Sequence, residues 1–392
     1  MLKTKWILET QRWCLTTWFL RKAAASPLEH RLVCRIVRSV VAFWFATPRT
    51  PPLWQRVFFL VNCLTLRRLL ASVRSGVVKT FRCVPRKACV NLLARSVSFL
   101  ISETPLNKTP QMLLEAAIGD AFGAGYEYVK HKGLHSVDKL AYVQHPRHRD
   151  TKPGMYTDDT QMSIAIAELL VSDAEFTPYN VAESFVTCFH RDPRGGYAKG
   201  FYQFLCDTKS ADSFLARIRS NSDKSGAAMR ASAIGLLPDI QTLKDYARIQ
   251  ASVTHNSDGG INSATAAALM VHYFTYNYGS RQKLPHWVNA NAAGNWSRPY
   301  DDKVGSKGWM SVSAAITAVS RNTSLVELLM DCINFGGDVD TVATIALAAA
   351  SCSSDYEHDI PDVLVSGLEN RSYGRKYIEK LDIKLATLIH RS

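Results

Sequence analysis

GGDVDTVATIALAAA, residues 336–350, sets two glycines and an Asp–Val–Asp–Thr step before a run whose only polar residue after Thr341 is Thr344. A helix built from that run has no polar face to turn to water, so it has to be buried all round. Its side chains are mostly alanine, which lets neighbouring helices approach closely. The same texture returns in DTQMSIAIAELL (159–170), NVAESFVTCFH (180–190), GAAMRASAIGLL (226–237), INSATAAALMVHYF (261–274), SVSAAITAVS (311–320) and LVELLMDCIN (325–334). QMLLEAAIGDAFGAG (111–125) predicts a further helix, broken by glycine. Clusters of Gly, Pro, Asn and Asp separate these segments. With no alternating strand pattern and no fixed-period repeat, the sequence predicts a single all-α domain of mutually buried helices over residues 106–392. The longest irregular stretch, residues 276–308, is polar, carries Trp287 and Trp296, and reads as a lid or binding loop.

The 392 residues, 47% hydrophobic and 21% charged, have a globular composition. A formal charge of +13 would suggest nucleic acid or an anionic membrane as partner if it were evenly spread. It is not: residues 1–105 hold 18 Lys and Arg against 3 Asp and Glu, which leaves 29 against 31 in residues 106–392. That N-terminal quarter has no Asp, holds five of the nine cysteines, and uses Arg far more than Lys. Its apolar stretches fall short of the roughly 20 residues of a membrane span. It opens with charges interrupting the apolar residues, unlike a secretory signal. The cysteines show no CxxC spacing and are odd in number, which points away from a metal site or disulfide framework and towards a reducing compartment. Three readings of residues 1–105 stand: an organelle leader, a cationic segment for a membrane surface or nucleic acid, and a translated extension under little constraint. The third is favoured, because Met112 is the first methionine after Met1 and opens the globular pattern.

TDDT (157–160) repeats the feature seen at residues 338–341: paired acids and threonine at the mouth of an apolar helix. Helix capping and the helix dipole account for one acid at each helix start. Two at each, on helices whose bodies are buried, concentrate four carboxylates in a dry place, which is prohibitive without cations. Oxygen donors without a His/Cys cluster suit hard ions such as Mg²⁺ or Mn²⁺. GDAFGAGYE (119–127) adds flexible glycines and Glu127, a further ligand or acid/base group.

Together these segments resemble the ADP-ribosylglycohydrolase family, which includes the dinitrogenase-reductase-activating glycohydrolases. GDAFGAGYE (119–127), TDDT (157–160), SGAAMR (225–230), THNS (254–257) and GGDVDT (336–341) follow one another in the family's order. The resemblance implies an all-α fold around a binuclear site, two Mg²⁺ or Mn²⁺, that hydrolyses an ADP-ribosyl bond. By position it makes Thr157, Asp158, Asp159, Asp338, Asp340 and Thr341 the metal ligands, with Glu127 at the same site. Proton transfer to the leaving group falls to a carboxylate: Glu127, Asp158, or Asp192 in HRDPRGGYAKGF (190–201).

The resemblance places Gly226, Met229 and Arg230 along the ligand cleft, with a glycine turn for phosphate to approach, and His255 against the ligand. Ser225 stands where many members have Asn. Trp309 falls where members often carry an aromatic residue, with core packing favoured over stacking on a nucleotide. The substrate implied is ADP-ribosyl-arginine on protein. The alternatives are O-linked ADP-ribose (serine-linked or O-acetylated) and a catalytically inactive ADP-ribose-binding relative. The remaining expectations are a cytoplasmic monomer, or one directed to an organelle by its N-terminal segment. It needs no nucleic acid, and any membrane contact is confined to residues 1–105.

Overall fold

The structure, a computed structural model, describes residues 111–129 and 140–390. The readings given for residues 1–105 fall outside the described residues. The first helices are α1 (Met112–Ala124), α2 (Asp158–Leu170), α3 (Pro178–Arg191), α4 (Lys199–Cys206) and α5 (Ala211–Arg217). Then follow α6 (Ile240–His255), α7 (Asp258–Thr275), α8 (Leu284–Asn291), α9 (Gly308–Arg321) and α10 (Leu325–Asn334). The last are α11 (Val339–Ala350), α12 (Asp362–Gly367) and α13 (Arg375–Leu385). Isolated bridges such as Val304 with Gly337 are the only β contacts among the described residues, in agreement with the all-α expectation. None of the described helices is long and apolar enough to cross a membrane.

Many helix starts are written locally. Thr177, Asp239, Ser257 and Ser324 each accept a backbone N–H in the first turn of α3, α6, α7 and α10, and Pro178 opens α3. Helix α1 lacks such a cap of its own. Its Leu113 and Leu114 N–H groups donate to the Asp382 carboxylate of α13, at 2.9 and 3.0 Å. A residue 269 positions away therefore supplies the cap.

The centre of the fold is the pair α1 and α11, in which every residue is buried. Two glycines one helical turn apart on α1 permit the contact: a Cβ on Gly119 would lie 2.7 Å from the Ala343 carbonyl oxygen, and one on Gly123 only 2.4 Å from the Asp340 Cα. Around the pair run α2, α7, α9 and α10, while α3 and α10 keep polar outer faces. Burying each Leu or Ile of this core contributes about 1.5–3 kcal/mol.

Three expectations change. Helix α1 runs unbroken through Gly119 and Gly123, because the glycines serve close packing rather than a turn. Residues 226–237 form no α-helix but the 3₁₀ turns Ser225–Ala227 and Ser232–Leu236. Gly235 is pressed so hard on α7 that a Cβ would sit 2.3 Å from the Ala268 carbonyl. The stretch 276–308 is not wholly irregular: a 3₁₀ turn and α8 lie within it, and Trp287 packs against Tyr273 and Tyr278.

Candidate metal centre and ligand cleft

Asp120, in the middle of α1, is fully buried and draws the start of α2 onto itself. It accepts the Thr157 N–H at 2.9 Å, the Thr157 hydroxyl at 2.7 Å, the Thr160 N–H at 3.0 Å and the Thr160 hydroxyl at 2.6 Å. Both threonines of TDDT are thus spent on a single carboxylate, and the two acids between them are held at a fixed place. The sequence reading missed Asp120. Its signal was a charged residue inside an apolar helix, which demands partners.

The other acidic pair is set by backbone that only glycine adopts easily. Gly336 and Gly337 have φ of 67° and 96°, and a Cβ on Gly337 would lie 1.8 Å from the Val304 carbonyl oxygen. The turn is tied by Val304 N–H to Gly336 O at 3.0 Å and Asp338 N–H to Val304 O at 3.2 Å. It delivers Asp338 and Asp340 to the N-terminus of α11. There one oxygen from each of Glu127, Asp338 and Asp340 lies within 4.8 Å of the others. Thr341 Oγ1 donates to Asp338 Oδ1 at 3.4 Å, and Ser311 of α9 donates to Asp338 Oδ2 at 3.3 Å.

Burial and mutual repulsion push the acids upward. Desolvation, then neighbouring carboxylates, raise Asp158, Asp159 and Asp340 well above the ordinary 3.8, and Asp338 to about 6. Asp159 Oδ2 is buried with no hydrogen-bond partner among the described residues. Converging carboxylates, an orphaned buried oxygen and hydroxyls at the rim are the donor set of a hard divalent cation, so the residues fit the metal that the sequence reading implies. Thr157 gives its proton to Asp120 and keeps lone pairs on its oxygen.

A pH dependence follows. Folded carboxylates with raised pKa bind protons that the unfolded chain, titrating near 3.8, has already released. Stability of the metal-free protein is therefore lost as pH rises from about 4 through 6 and beyond. Scanning calorimetry on metal-free protein is expected to show a melting temperature falling between pH 5 and 8, with added Mg²⁺ restoring more at pH 8 than at pH 5. A flat profile would contradict this electrostatic picture.

Four assignments change. Asp192 does not stand free for catalysis: its Oδ2 lies against the Arg194 guanidinium, 3.1 Å from Nε, and Arg194 also pairs with Glu369. Its loop serves the site through its backbone instead. Gly195 O accepts the Asp158 N–H at 3.1 Å, and Gly196, with φ of 102°, leaves room for the Asp158 carboxylate. Arg230 is not at hand for a phosphate. It is buried over the Phe185 ring and donates to Gln250 Oε1 at 2.6 Å, Gln250 O at 3.0 Å and Thr254 Oγ1 at 2.7 Å; burial lowers it to about 9. Met229 is likewise buried, and its carbonyl accepts the Ser163 hydroxyl at 3.2 Å. Trp309 is not a core residue. It is 49% exposed and lines a cavity of about 440 Å³ with Tyr300, Trp296, Asn262 and Arg298.

His255 is buried against the Gly226 turn. Arg230 occupies the Thr254 oxygen, so the Thr254 hydroxyl points its proton at His255 Nδ1, 2.7 Å away, and the ring's own proton sits on Nε2. Burial and the nearby Arg230 lower it to about 3, so the ring is neutral. That edge of the ring faces Gly226, where a Cβ would come within 3.2 Å of Nε2.

The family model of ADP-ribosylglycohydrolase matches residues 102–392. ADP-ribosylhydrolase ARH3 of Homo sapiens is 27% identical over 305 residues, covering 61% of this chain and 83% of its own. The ADP-ribosyl-[dinitrogen reductase] glycohydrolase of Rhodospirillum rubrum is 25% identical over 274 residues, covering 65% and 88%. The ADP-ribosylarginine hydrolase Tri1 of Pseudomonas putida (strain GB-1) is 24% identical over 266 residues, covering 63% and 70%. A solved chain described as an ADP-ribosylglycohydrolase-related protein complex superposes with a TM-score of 0.55 at 20% identity, covering 72% of this chain and 98% of that one, which supports the fold. With the motifs in order on an all-α frame and the family model spanning the described residues, the chain belongs to the ADP-ribosylglycohydrolase family and is an enzyme of that hydrolase class.

Proposed function

We propose that the protein is a metal-dependent hydrolase that removes ADP-ribose from arginine side chains of proteins. The observation that carries the reading is the convergence of Glu127, Asp338 and Asp340 beside Asp158 and Asp159, with an orphaned oxygen on Asp159. The arginine linkage is supported by the likeness to the ADP-ribosylarginine hydrolase Tri1. Asp158, Asp159, Asp338 and Asp340 would hold divalent ions, with Thr157 and Thr341 adding neutral oxygens. Bound there, the ions would supply Lewis-acid polarisation of ribose hydroxyls and of the attacking water.

The chain's own groups do the rest. Cleavage at the anomeric carbon develops oxocarbenium-like positive charge, which nearby carboxylates can stabilise. Glu127, which also reaches ligand distance of the Asp338–Asp340 pair, is the acid assigned to the proton at the leaving nitrogen, since Asp192 is held by Arg194. His255 presents a neutral N–H beside the Gly226 turn, suited to a ligand oxygen. The cavity at Trp309 offers an aromatic face to the nucleotide end, on the same helix whose Ser311 touches Asp338.

The test is release of ADP-ribose from an arginine-ADP-ribosylated protein by the full-length chain, with Mg²⁺ or Mn²⁺ and after chelation. Metal-dependent release is expected. Release from a serine-linked substrate alone would replace arginine as the linkage. No release from either, with ADP-ribose still bound in calorimetry, would make the chain a binding relative.

A further inference from the structure

Glu127 lies beyond the end of α1, on a loop, yet its carboxylate reaches the Asp338–Asp340 pair. Something has to hold it there. His145 is buried, and its Nε2 is 3.0 Å from Glu127 Oε2, a close polar contact in which the carboxylate lies off the ring N–H direction. Its other nitrogen, Nδ1, faces two donors, the N–H groups of Arg147 and His148 at 3.0 and 3.1 Å. Two N–H groups aimed at Nδ1 leave the ring proton on Nε2, the nitrogen nearest the carboxylate. The tautomer is thus set by the local turn, which leaves the polar edge of the ring beside Glu127.

A second contact grips the neighbouring residue. The Arg147 guanidinium lies 4.5 Å from the centre of the Tyr128 ring. Tyr128 has φ of 54°, uncommon for a bulky side chain, and its N–H donates to Gly337 O at 2.8 Å. Residues 127 and 128 are therefore fastened to the 145–148 turn on one side and to the glycine turn before Asp338 on the other.

We propose that His145 is a positioning residue that fixes the Glu127 carboxylate at the acidic cluster, with Arg147 securing the adjoining Tyr128. The proposal rests on the metal-dependent reading of the site. Groups that support and orient an acidic ligand from behind typically alter metal affinity by about 10–100-fold when removed.

The experiment is Mn²⁺ binding by calorimetry to the full chain and to His145→Phe, His145→Gln, Glu127→Ala and the Glu127→Ala/His145→Phe pair, with metal-free melting temperatures alongside. His145→Phe keeps ring bulk without a donor and is expected to weaken Mn²⁺ about tenfold or more. His145→Gln, whose amide N–H can reach the same carboxylate, is expected to recover affinity to within about threefold of wild type. In the Glu127→Ala background the Phe substitution is expected to change nothing further, since the partner is gone. Equal affinity of His145→Phe and wild type, or additive losses in the double variant, would overturn the proposal. If His145→Phe does not fold, the Gln variant decides: a tenfold loss there overturns it as well. Hydrolysis measured in parallel keeps the two readings apart. A chain that binds Mn²⁺ without releasing ADP-ribose refutes the proposed reaction, and the Phe/Gln contrast still decides the role of His145.

Discussion

Asp338→Asn is expected to lower metal-dependent hydrolysis by about 10³-fold or more, with metal affinity falling in parallel. Asp338 is one of three carboxylates whose oxygens converge within 4.8 Å, and Ser311 and Thr341 both face it. An amide of the same shape keeps the packing but removes a unit of negative charge. A bound ion supplies several kcal/mol of stabilisation to developing charge, and each 1.36 kcal/mol is a factor of ten in rate. Because burial and Glu127 already hold Asp338 up at about 6, neutralising it relieves repulsion in the metal-free state. The variant is therefore expected to melt no lower than wild type without metal and to gain less on adding Mg²⁺. Steady-state rates and metal titration of the same preparation check this. Near-normal turnover with metal bound would remove Asp338 from the ligand set.

Gly123→Ala is expected to cost about 3 kcal/mol of stability and most of the activity, although the residue carries no functional group. Overpacking a filled core typically costs 1–3 kcal/mol, and here the added methyl meets backbone, not a flexible side chain. It would lie 2.4 Å from the Asp340 Cα and 2.8 Å from its nitrogen, so α11 has to shift, carrying Asp340 with it. Chemical denaturation would give the loss of stability, and metal titration of the folded fraction the loss of site geometry. A stable Gly123→Ala protein with wild-type metal affinity would mean that α1 and α11 can part without cost.

Much of this was legible beforehand, for definable reasons. Apolar density marks buried helices irrespective of what they pack on, so α2, α7, α9 and α11 could be read directly. Asp158, Asp159, Asp338 and Asp340 stood out because acids before such helices conflict with burial. What escaped depends on partners far along the chain. Asp120 finds its donors 37 and 40 residues later, His145 gains meaning only where the fold brings Glu127 to it, and Arg230 is satisfied by Gln250 and Thr254 of α6. Residues 226–237 misled because alanine and methionine suit a helix anywhere, whereas Gly235 needed to lie flat on α7. Trp309 misled because a large aromatic residue before a buried helix reads as core.

The groove that Gly119 and Gly123 cut into α1 has a consequence for how the protein is made. Its filler, α11, lies more than two hundred residues downstream, so a ribosome that has finished α1 still has most of the domain to translate before the two can meet. Through that interval an apolar furrow stays open and the acids of the first motif wait without their counterparts. Long-range pairing of this kind slows folding and exposes the nascent chain to aggregation. Chaperone demand during synthesis, beside stability once folded, is where variants of these two glycines will be felt.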